Sequence, residues 1–385
     1  MKLYLVAGEA SGDGHGAELM KALLEVMPDV KFYGAGGPKM AKLAQESFCE
    51  WTEHAVIGIV DVLRNYGYFR KQMDRMLDEV IKMAPEAVVF IDYPGFNLRL
   101  ASGLRKRGYL GKLIFYISPQ VWAWNRGRIP KMAKYLDLML CIFPFEEALY
   151  EESGLKAKFV GHPLLDALPE KILPVDREKK RVGIFPGSRL REVRKNLPVM
   201  LETARELRKT DPELRFLVVG AREKLKAEME AMLQEEDTGS VELVIGQSDE
   251  AMQRVWAAML ASGTATMEAA FFGMPFVLVY RVSWLTYWPA KWLIRVKWIG
   301  MVNILAGREI VKEFIQQEAT VENLVPEMKT LLEDETKRAQ VVHDLKQVID
   351  GLGVGGASER AAQAIAEEVR GKAHGTNIGE VERGK

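Results

Sequence analysis

The sequence predicts an α/β protein with two doubly wound domains, each a parallel sheet flanked by helices. Short apolar runs of strand length alternate with segments of helical spacing along the chain. The chain has 385 residues, too many for one ordinary hydrophobic core. A charged segment with two prolines, "DALPEKILPVDREKKR" (166–181), separates two such series and is interpreted as a linker.

Each series supplies the strands of one sheet. In the first half we predict strands at residues 3–6, 31–33, 87–91, 112–116, 138–141 and 158–159. The second half contributes "RVGIFPGSR", "LRFLVVG", "VELVIG", "AAMLASG" and "PFVLVYR". The predicted domains are 1–165 and 166–370, Rossmann-like and facing a central cleft, with the terminal helices able to pack back on the first. Residues 371–385 are predicted to be a disordered tail.

Net charge and cysteine content limit which partners and which cellular compartment are expected. The 53 basic and 53 acidic residues cancel, which argues against a nucleic-acid partner. Cys49 and Cys141 are too few for a disulfide framework or a metal cluster, so a reducing cytosol is expected. Met1-Lys2 leads directly into a strand, so no signal peptide is predicted. Glu268 and Pro275 interrupt the apolar region 259–280, which favours strand–turn–helix–strand over a membrane span.

A glycine cluster follows the first strand, in "LYLVAGEASGDGHGAELMKALLEVM" (3–27). Gly12-x-Gly14-x-x-Ala17 matches the relaxed dinucleotide fingerprint. The second strand, in "VKFYGAGGPKM", lacks the carboxylate that would hold a ribose, so NAD or FAD is disfavoured. The cluster is instead predicted to form a substrate loop between the strand and a helix at Ala17–Met27. Its polar groups are Glu9, Ser11, Asp13 and His15.

Two strand–helix junctions of the second half are suited to anions. Gly187-Ser188-Arg189 precedes a long helix, whose amino terminus attracts phosphate. Arg189 would add a bidentate clamp, although a basic first turn facing water gives the same pattern. The second junction is Ser262-Gly263-Thr264. Glu268 lies one turn inside the helix that follows and would bind ribose hydroxyls or pair with a nearby base.

Asp92 ends the strongly apolar strand of "AVVFIDYPGFNLRLA" and is a candidate general base. A turn-forming or helix-capping role is the alternative for an acid in this position. Asn97 would cap the following helix. His15 is the rival base, with a plain loop histidine as its alternative.

Two further segments are unusually polar for simple connections. "YISPQVWAWNRGRIPKM" carries Gln120 in a polar-aromatic loop. "MVNILAGREIVKEFIQ" carries Asn303, which fits a sugar or phosphate contact and a cap equally well.

Two apolar, aromatic and basic patches predict contact with a membrane surface. The first spans residues 56–73 and the second residues 280–301, where tryptophans recur every four residues. A buried aromatic stripe is the alternative for the second patch. The residues predicted to touch acyl chains or lipid are Val60, Val62, Leu63, Tyr66, Phe69, Trp284, Trp288, Trp292, Arg295 and Lys297.

Seven motifs in order together resemble the lipid-A-disaccharide synthase family. They are "VAGEASGDGHGA", "FIDYPGFN", "SPQVWAW", "FVGHPLLD", "FPGSR", "ASGTATMEAAFFGMP" and "NILAGREIVKEFIQ". The resemblance implies a GT-B glycosyltransferase that joins UDP-2,3-diacylglucosamine to 2,3-diacylglucosamine 1-phosphate, forming a β(1→6) disaccharide and UDP. It implies a peripheral protein on the cytoplasmic face of the inner membrane, without metal or cofactor. A homodimer is left open.

The resemblance also implies roles for individual residues. Asp92 matches the family's general base, with His15 left open as a contributor. Arg189, Glu268 and Asn303 match positions tied to UDP binding or activity. Gly95 stands where many relatives carry a second aspartate, so Asp92 would act here without it. The alternatives are a soluble UDP-GlcNAc 2-epimerase-like enzyme and a non-catalytic nucleotide-sugar sensor.

Overall fold

The computed structural model describes residues 1–45, 48–51, 66–168, 170, 172–235, 241–281 and 296–371. The chain forms two compact units. The N-terminal unit comprises Met1–Asp166 and the described chain from Val354 on, and the C-terminal unit comprises Ala167–Gly353. The boundary predicted from the sequence is 165/166, and the segment from Val354 to residue 370 was predicted within the second domain.

The N-terminal unit is built on a seven-stranded parallel sheet. Its strands are β1 (Lys2–Ala7), β2 (Lys31–Gly36), β3 (Cys49–Glu50), β4 (Ala87–Ile91), β5 (Lys112–Tyr116), β6 (Leu138–Cys141) and β7 (Ala157–Phe159). They lie in the order β3-β2-β1-β4-β5-β6-β7. All five residues of β4, "AVVFI", are buried, as expected for a central parallel strand covered on both faces.

Nine helices of this unit have described bounds. They are α1 (Ala10–Val26), α2 (Pro38–Ala41), α3 (Tyr66–Met83), α4 (Pro94–Lys106), α5 (Val121–Trp124), α6 (Ile129–Met132), α7 (Pro144–Glu151), α8 (Leu164–Ala167, at the boundary) and α16 (Ala357–Arg370). The predicted start of the first helix at Ala17 is wrong, because α1 begins at Ala10 and three of the clustered glycines lie inside it. Gly16 is one of them, and a Cβ there would lie 2.4 Å from Met40 Sδ, so the missing side chain lets α1 approach α2 closely.

The last described helix, α16, packs against α1. The Asp166 carboxylate accepts hydrogen bonds from the backbone N–H groups of Gly356 (2.6 Å) and Ala357 (3.0 Å) at the start of this helix. Near its other end, Glu368 bonds Lys156 at 2.6 Å and also pairs with Lys112. The C-terminal segment is therefore fixed at both ends to the first half of the chain.

The C-terminal unit contains a six-stranded parallel sheet in the order β10-β9-β8-β11-β12-β13. The strands are β8 (Glu178–Phe185), β9 (Arg215–Gly220), β10 (Val241–Ile245), β11 (Val255–Ala261), β12 (Phe276–Tyr280) and β13 (Glu313–Ile315). Its helices with described bounds are α9 (Leu190–Thr210), α10 (Lys226–Glu235), α11 (Ser248–Arg254), α12 (Ala265–Phe271), α13 (Met301–Ala306), α14 (Val321–Glu333) and α15 (Glu335–Asp350). Because β8 begins at Glu178, the last residues of the predicted linker belong to a strand.

Helix α9 shows how sequence periodicity sets the packing of this unit. Val193, Leu197, Met200, Ala204 and Leu207 recur at intervals of three or four residues, and all are buried. This stripe faces the core, while the charged positions between face solvent. Among the described residues, no helix is both long enough and apolar enough to cross a bilayer.

Candidate functional site

Both sheets reverse their strand order at one point, and ligands of doubly wound sheets bind beyond the strand ends there. In the N-terminal unit the point lies between β1 and β4. The residues that follow these strands are Gly8-Glu9 and Asp92-Tyr93. In the C-terminal unit the point lies between β8 and β11, which lead into Pro186-Gly187-Ser188 and Ser262-Gly263. Each unit thus offers one group of candidate residues.

Asp92 stands directly after β4 on a strained backbone. Asp92 and Tyr93 both have φ near +49°, and Ile117, directly after the neighbouring β5, has φ +66°. Left-handed conformations cost energy in residues other than glycine and cluster at functional sites. The Asp92 backbone N–H donates to the Tyr116 carbonyl at 3.0 Å, which ties the ends of β4 and β5 together.

Burial raises the pKa of the Asp92 carboxyl above its usual range, and a hydrogen bond from the Tyr93 backbone lowers it in part. A carboxylate with a raised pKa is a stronger proton acceptor near neutral pH than an exposed one. The Tyr93 ring packs directly on Gly8, because a Cβ on Gly8 would lie 2.1 Å from it. The role of Asp92 as a general base stays a prediction.

Asn97 does not cap the helix after Asp92, so that prediction is wrong. The cap position belongs to Tyr93, and Asn97 lies inside α4 with no exposed surface. Its Nδ2 donates to the carbonyls of Asp92 (2.7 Å), Val6 (3.3 Å) and Ile91 (3.4 Å). Through these bonds Asn97 joins the ends of β1 and β4.

The glycine-cluster residues divide into supporting and accessible groups. Asp13 is buried, and its carboxylate accepts from the backbone N–H groups of Gly37 (2.9 Å), Lys39 (3.0 Å) and Met40 (3.0 Å). It therefore anchors the start of α2. Ser11 is exposed and Glu9 half-buried at the start of α1.

His15 lies in α1 rather than in a loop. Burial lowers its pKa, and Lys39 lowers it further, while Asp166 opposes them. A neutral imidazole can accept a proton, so His15 remains a second candidate base.

His162, in "FVGHPLLD", is a group that the sequence analysis did not select. Burial lowers its pKa to about 4, with a contribution from the charge of His15. Its Nδ1 accepts from the Leu164 backbone N–H at 3.2 Å, so the neutral ring carries its proton on Nε2. The ring also packs against Phe143, with centroids 5.3 Å apart.

Glu146 is a second group that the sequence analysis missed. Its carboxylate has no exposed surface and accepts from the Ser118 hydroxyl, from Trp122 Nε1 (2.8 Å) and from the Phe143 N–H (3.2 Å). Burial raises its pKa to about 7 against these hydrogen bonds. Glu146 thereby fastens the polar-aromatic loop, where Gln120 is exposed, to the start of α7.

In the C-terminal unit, the two predicted anion junctions lie at the ends of adjacent strands. Arg189 is the cap residue of α9, and its side chain is 56% exposed. Gly263 and Thr264 are exposed ahead of α12, and Ser262 is half-buried. Glu268 lies half-buried inside α12. β8 and β11 are paired, so both junctions occupy the same edge of the sheet.

Asn303 is buried rather than presented to a ligand. Its Nδ2 donates to the Val311 carbonyl and to Glu313 Oε1, each at 2.8 Å. Its Oδ1 accepts from the backbone N–H groups of Ile310 (2.7 Å) and Val311 (3.1 Å). Every donor and acceptor of the carboxamide is used within the fold, which corrects the predicted direct contact. Asn303 holds the chain after α13 in position.

Replacing Asn303 by alanine is expected to lower the free energy of unfolding by about 2–3 kcal/mol, because two buried N–H groups lose their acceptor. Urea denaturation of the purified protein measures this loss. Asn323→Ala, at an exposed position of α14, is the matched control and should change little. An Asn303→Ala protein of wild-type stability that no longer binds UDP would instead restore the direct contact.

Most of the predicted membrane-contact residues lie outside the described residues. These are Val60, Val62, Leu63, Trp284, Trp288, Trp292 and Arg295, and the side chain of Tyr66 is likewise not described. Phe69 is only 8% exposed and packs against Trp51 and Phe96, which corrects its predicted lipid contact. Lys297 is exposed, with Nζ 4.6 Å from the Trp298 ring centroid.

The sequence is similar to proteins of one known family along almost its whole length. The profile of the family described as "Lipid-A-disaccharide synthetase" matches residues 3–368. The lipid-A-disaccharide synthase of Geobacter sulfurreducens is 37% identical over 376 residues, covering 95% of this chain and 97% of that protein. The enzyme of the same name from Geobacter metallireducens is 38% identical, with the same coverage.

Solved structures share the architecture at much lower identity. UDP-GlcNAc 2-epimerase from Neisseria meningitidis, bound to UDP-GlcNAc, superposes with a TM-score of 0.61 at 12% identity, covering 95% of this chain and 100% of that one. At that identity the likeness shows the fold alone, the two-domain GT-B class. The match along almost the whole chain shows more: this chain belongs to the lipid-A-disaccharide synthase family.

Proposed function

We propose that this chain transfers 2,3-diacylglucosamine from its UDP conjugate to the 6-hydroxyl of 2,3-diacylglucosamine 1-phosphate, releasing UDP. The observation that carries the proposal is the family match over residues 3–368, which includes Asp92 and Arg189. The position of Asp92 beyond β4, where the strand order reverses, supports its part in the reaction.

In the proposed reaction Asp92 removes the proton of the acceptor hydroxyl as this oxygen attacks the anomeric carbon. The bond from that carbon to the UDP oxygen breaks on the opposite face, so one displacement inverts the centre. The proton passes to the Asp92 carboxylate, and UDP leaves with the bonding electron pair. Arg189 and the start of α12 at Thr264 stabilise the charge that develops on the diphosphate. Half-buried Glu268 is proposed to bind the UDP ribose.

The direct test incubates the purified protein with both acylated glucosamine substrates. UDP and a disaccharide 1-phosphate should appear in equal amounts, measured by chromatography and mass spectrometry. The epimerase alternative requires turnover of UDP-GlcNAc without an acylated acceptor. A sensor would bind the donor and release no UDP, and either result would reject the proposed transfer.

We further propose that the protein binds the membrane surface peripherally, at the inner face of the inner membrane. Support comes from the aromatic and basic composition of residues 280–301, from exposed Lys297, and from the water-insoluble chains of both proposed substrates. A homodimer stays a prediction.

The membrane proposal predicts that the protein floats with vesicles containing anionic phospholipid and less with neutral ones. Lys297→Gln should weaken this partitioning about three- to fivefold, because one basic residue near an anionic surface contributes about 1 kcal/mol. Flotation of variant and wild type at two salt concentrations measures the effect. Lys224→Gln, at an exposed position before α10, is the control. Protein that stays at the bottom of every gradient would contradict peripheral binding.

A further inference from the structure

The turn at Gly187-Ser188-Arg189 already carries an anion from its own helix. Glu192 Oε2 accepts from the backbone N–H groups of Ser188 (3.0 Å) and Arg189 (3.3 Å). Its Oε1 accepts from Arg189 Nη1 at 2.9 Å. The carboxylate therefore engages both the amides and the guanidinium that the sequence suggests for a phosphate.

The backbone of this turn is shaped around the carboxylate. Gly187 has φ +120°, a conformation that other residues rarely adopt. A Cβ at this position would lie 2.6 Å from Glu192 Oε2 and 2.7 Å from Glu192 Cβ. The Glu192 side chain is only 19% exposed, whereas that of Arg189 is 56% exposed. The acid is held in place, and the arginine is the partner with room to move.

Two anions cannot use these donors fully at once. A diphosphate that takes Arg189 draws the guanidinium away from Glu192, and the two negative charges repel each other at close range. A diphosphate that binds at this turn would therefore have to displace the Glu192 carboxylate from the Arg189 guanidinium and the backbone N–H groups.

We propose that Glu192 competes with the diphosphate of UDP for Arg189 and the Ser188 amide, and so sets how tightly UDP is held. The proposal rests on the UDP site of the proposed function. This competition would speed the release of UDP, because Glu192 re-forms its hydrogen bonds with Ser188 and Arg189 as the product leaves.

A purely structural reading of the same contacts makes the opposite prediction. A glutamate in the third helical position commonly caps the start of a helix by accepting from the backbone. If capping were its whole role, removing the charge would loosen the turn, and UDP would bind equally or less well. The direction of the change in UDP affinity therefore distinguishes competition by Glu192 from helix capping alone.

The experiment measures UDP binding to Glu192→Gln by titration calorimetry. The glutamine carbonyl can still accept from the Ser188 N–H, while the negative charge is gone. We expect the Kd for UDP to fall about three- to tenfold. The Kd for uridine, which has no phosphate, should stay unchanged. Glu192→Asp keeps the charge but draws it back by one methylene, so a smaller tightening is expected.

The matched control is Glu228→Gln. Glu228 pairs with Arg194, a neighbouring arginine of α9, at 2.6 Å. This variant removes the same charge and frees a different arginine, so UDP should bind as in the wild type. Circular dichroism melts of each variant confirm folding.

Unchanged or weaker UDP binding by Glu192→Gln, with wild-type binding intact and Arg189→Ala weakened, overturns the competition and leaves the UDP site standing. A Glu228→Gln protein that tightens UDP as much as Glu192→Gln also overturns it, because the effect would then be one of general charge. Failure of the wild type and of Glu192→Gln to bind UDP overturns the inference together with the proposed UDP site.

Discussion

Asp92→Asn is expected to reduce kcat by about 10²–10⁴-fold, or roughly 3–5 kcal/mol of barrier, while UDP affinity stays within about twofold. The amide preserves the shape of the side chain but cannot accept the proton of the acceptor hydroxyl. Steady-state assays of UDP release, with calorimetric UDP titration, measure the two quantities separately. Asp29→Asn, an exposed carboxylate just before β2, is the control for loss of a charge in the same unit.

The pH profile offers an independent check on this role. The base must be ionised to act, so activity falls as pH drops through its pKa. Because burial raises the pKa of Asp92, the acid limb of kcat/KM should lie above the range of an exposed aspartate. Near-normal turnover by Asp92→Asn would shift the role of base to His15, and His15→Gln is the variant that would then lose activity.

Glu146→Ala should lower the free energy of unfolding by about 3–5 kcal/mol at pH 6. The Ser118 hydroxyl, the Trp122 indole N–H and the Phe143 N–H all lose their acceptor in a buried place. Activity should fall as well, because the loop that carries Gln120 loses its anchor. Chemical denaturation followed by tryptophan fluorescence measures the stability. Glu151→Ala, exposed at the end of the same helix, should change stability by less than about 0.5 kcal/mol.

The cost of this substitution should depend on pH in a defined direction. The pKa of Glu146 is about 7 in the folded protein and near 4.5 in the unfolded chain. The folded state holds the proton more tightly, so this contribution is fully present below pH 4.5 and is lost as pH rises through 7. The difference between wild type and Glu146→Ala should therefore shrink between pH 5 and pH 8. A difference that grows over this interval would contradict the raised pKa.

Many of the strands could be predicted from local runs of apolar residues. The predicted strands at 87–91, 112–116 and 138–141 coincide with β4, β5 and β6, because central parallel strands are continuous apolar runs. The edge strands β3 and β13, of two and three residues, were missed. Neither stands out from the sequence around it, unlike the equally short β7, and their pairing with β2 and β12 defines them.

Candidate residues could be selected from the sequence where their place after an apolar strand was enough to suggest a role. Asp92 and the Gly187-Ser188-Arg189 turn were selected because each follows an apolar strand, and their roles stay predictions. For Asn303 the sequence left a ligand contact and a cap equally open, because its partners Val311 and Glu313 become neighbours only after folding. Glu146 was missed for the same reason: its partner Trp122 lies 24 residues earlier in the chain.

The return of α16 to the first half of the chain has a consequence for biosynthesis. Residues 167–353 must leave the ribosome before the segment that Asp166 caps becomes available. At typical elongation rates this takes roughly 10 to 40 s. During that interval the surface of α1 that α16 later covers stays open to solvent and to chaperones. The sheet of the first half therefore lacks this helix until residues 357–370 have been synthesised.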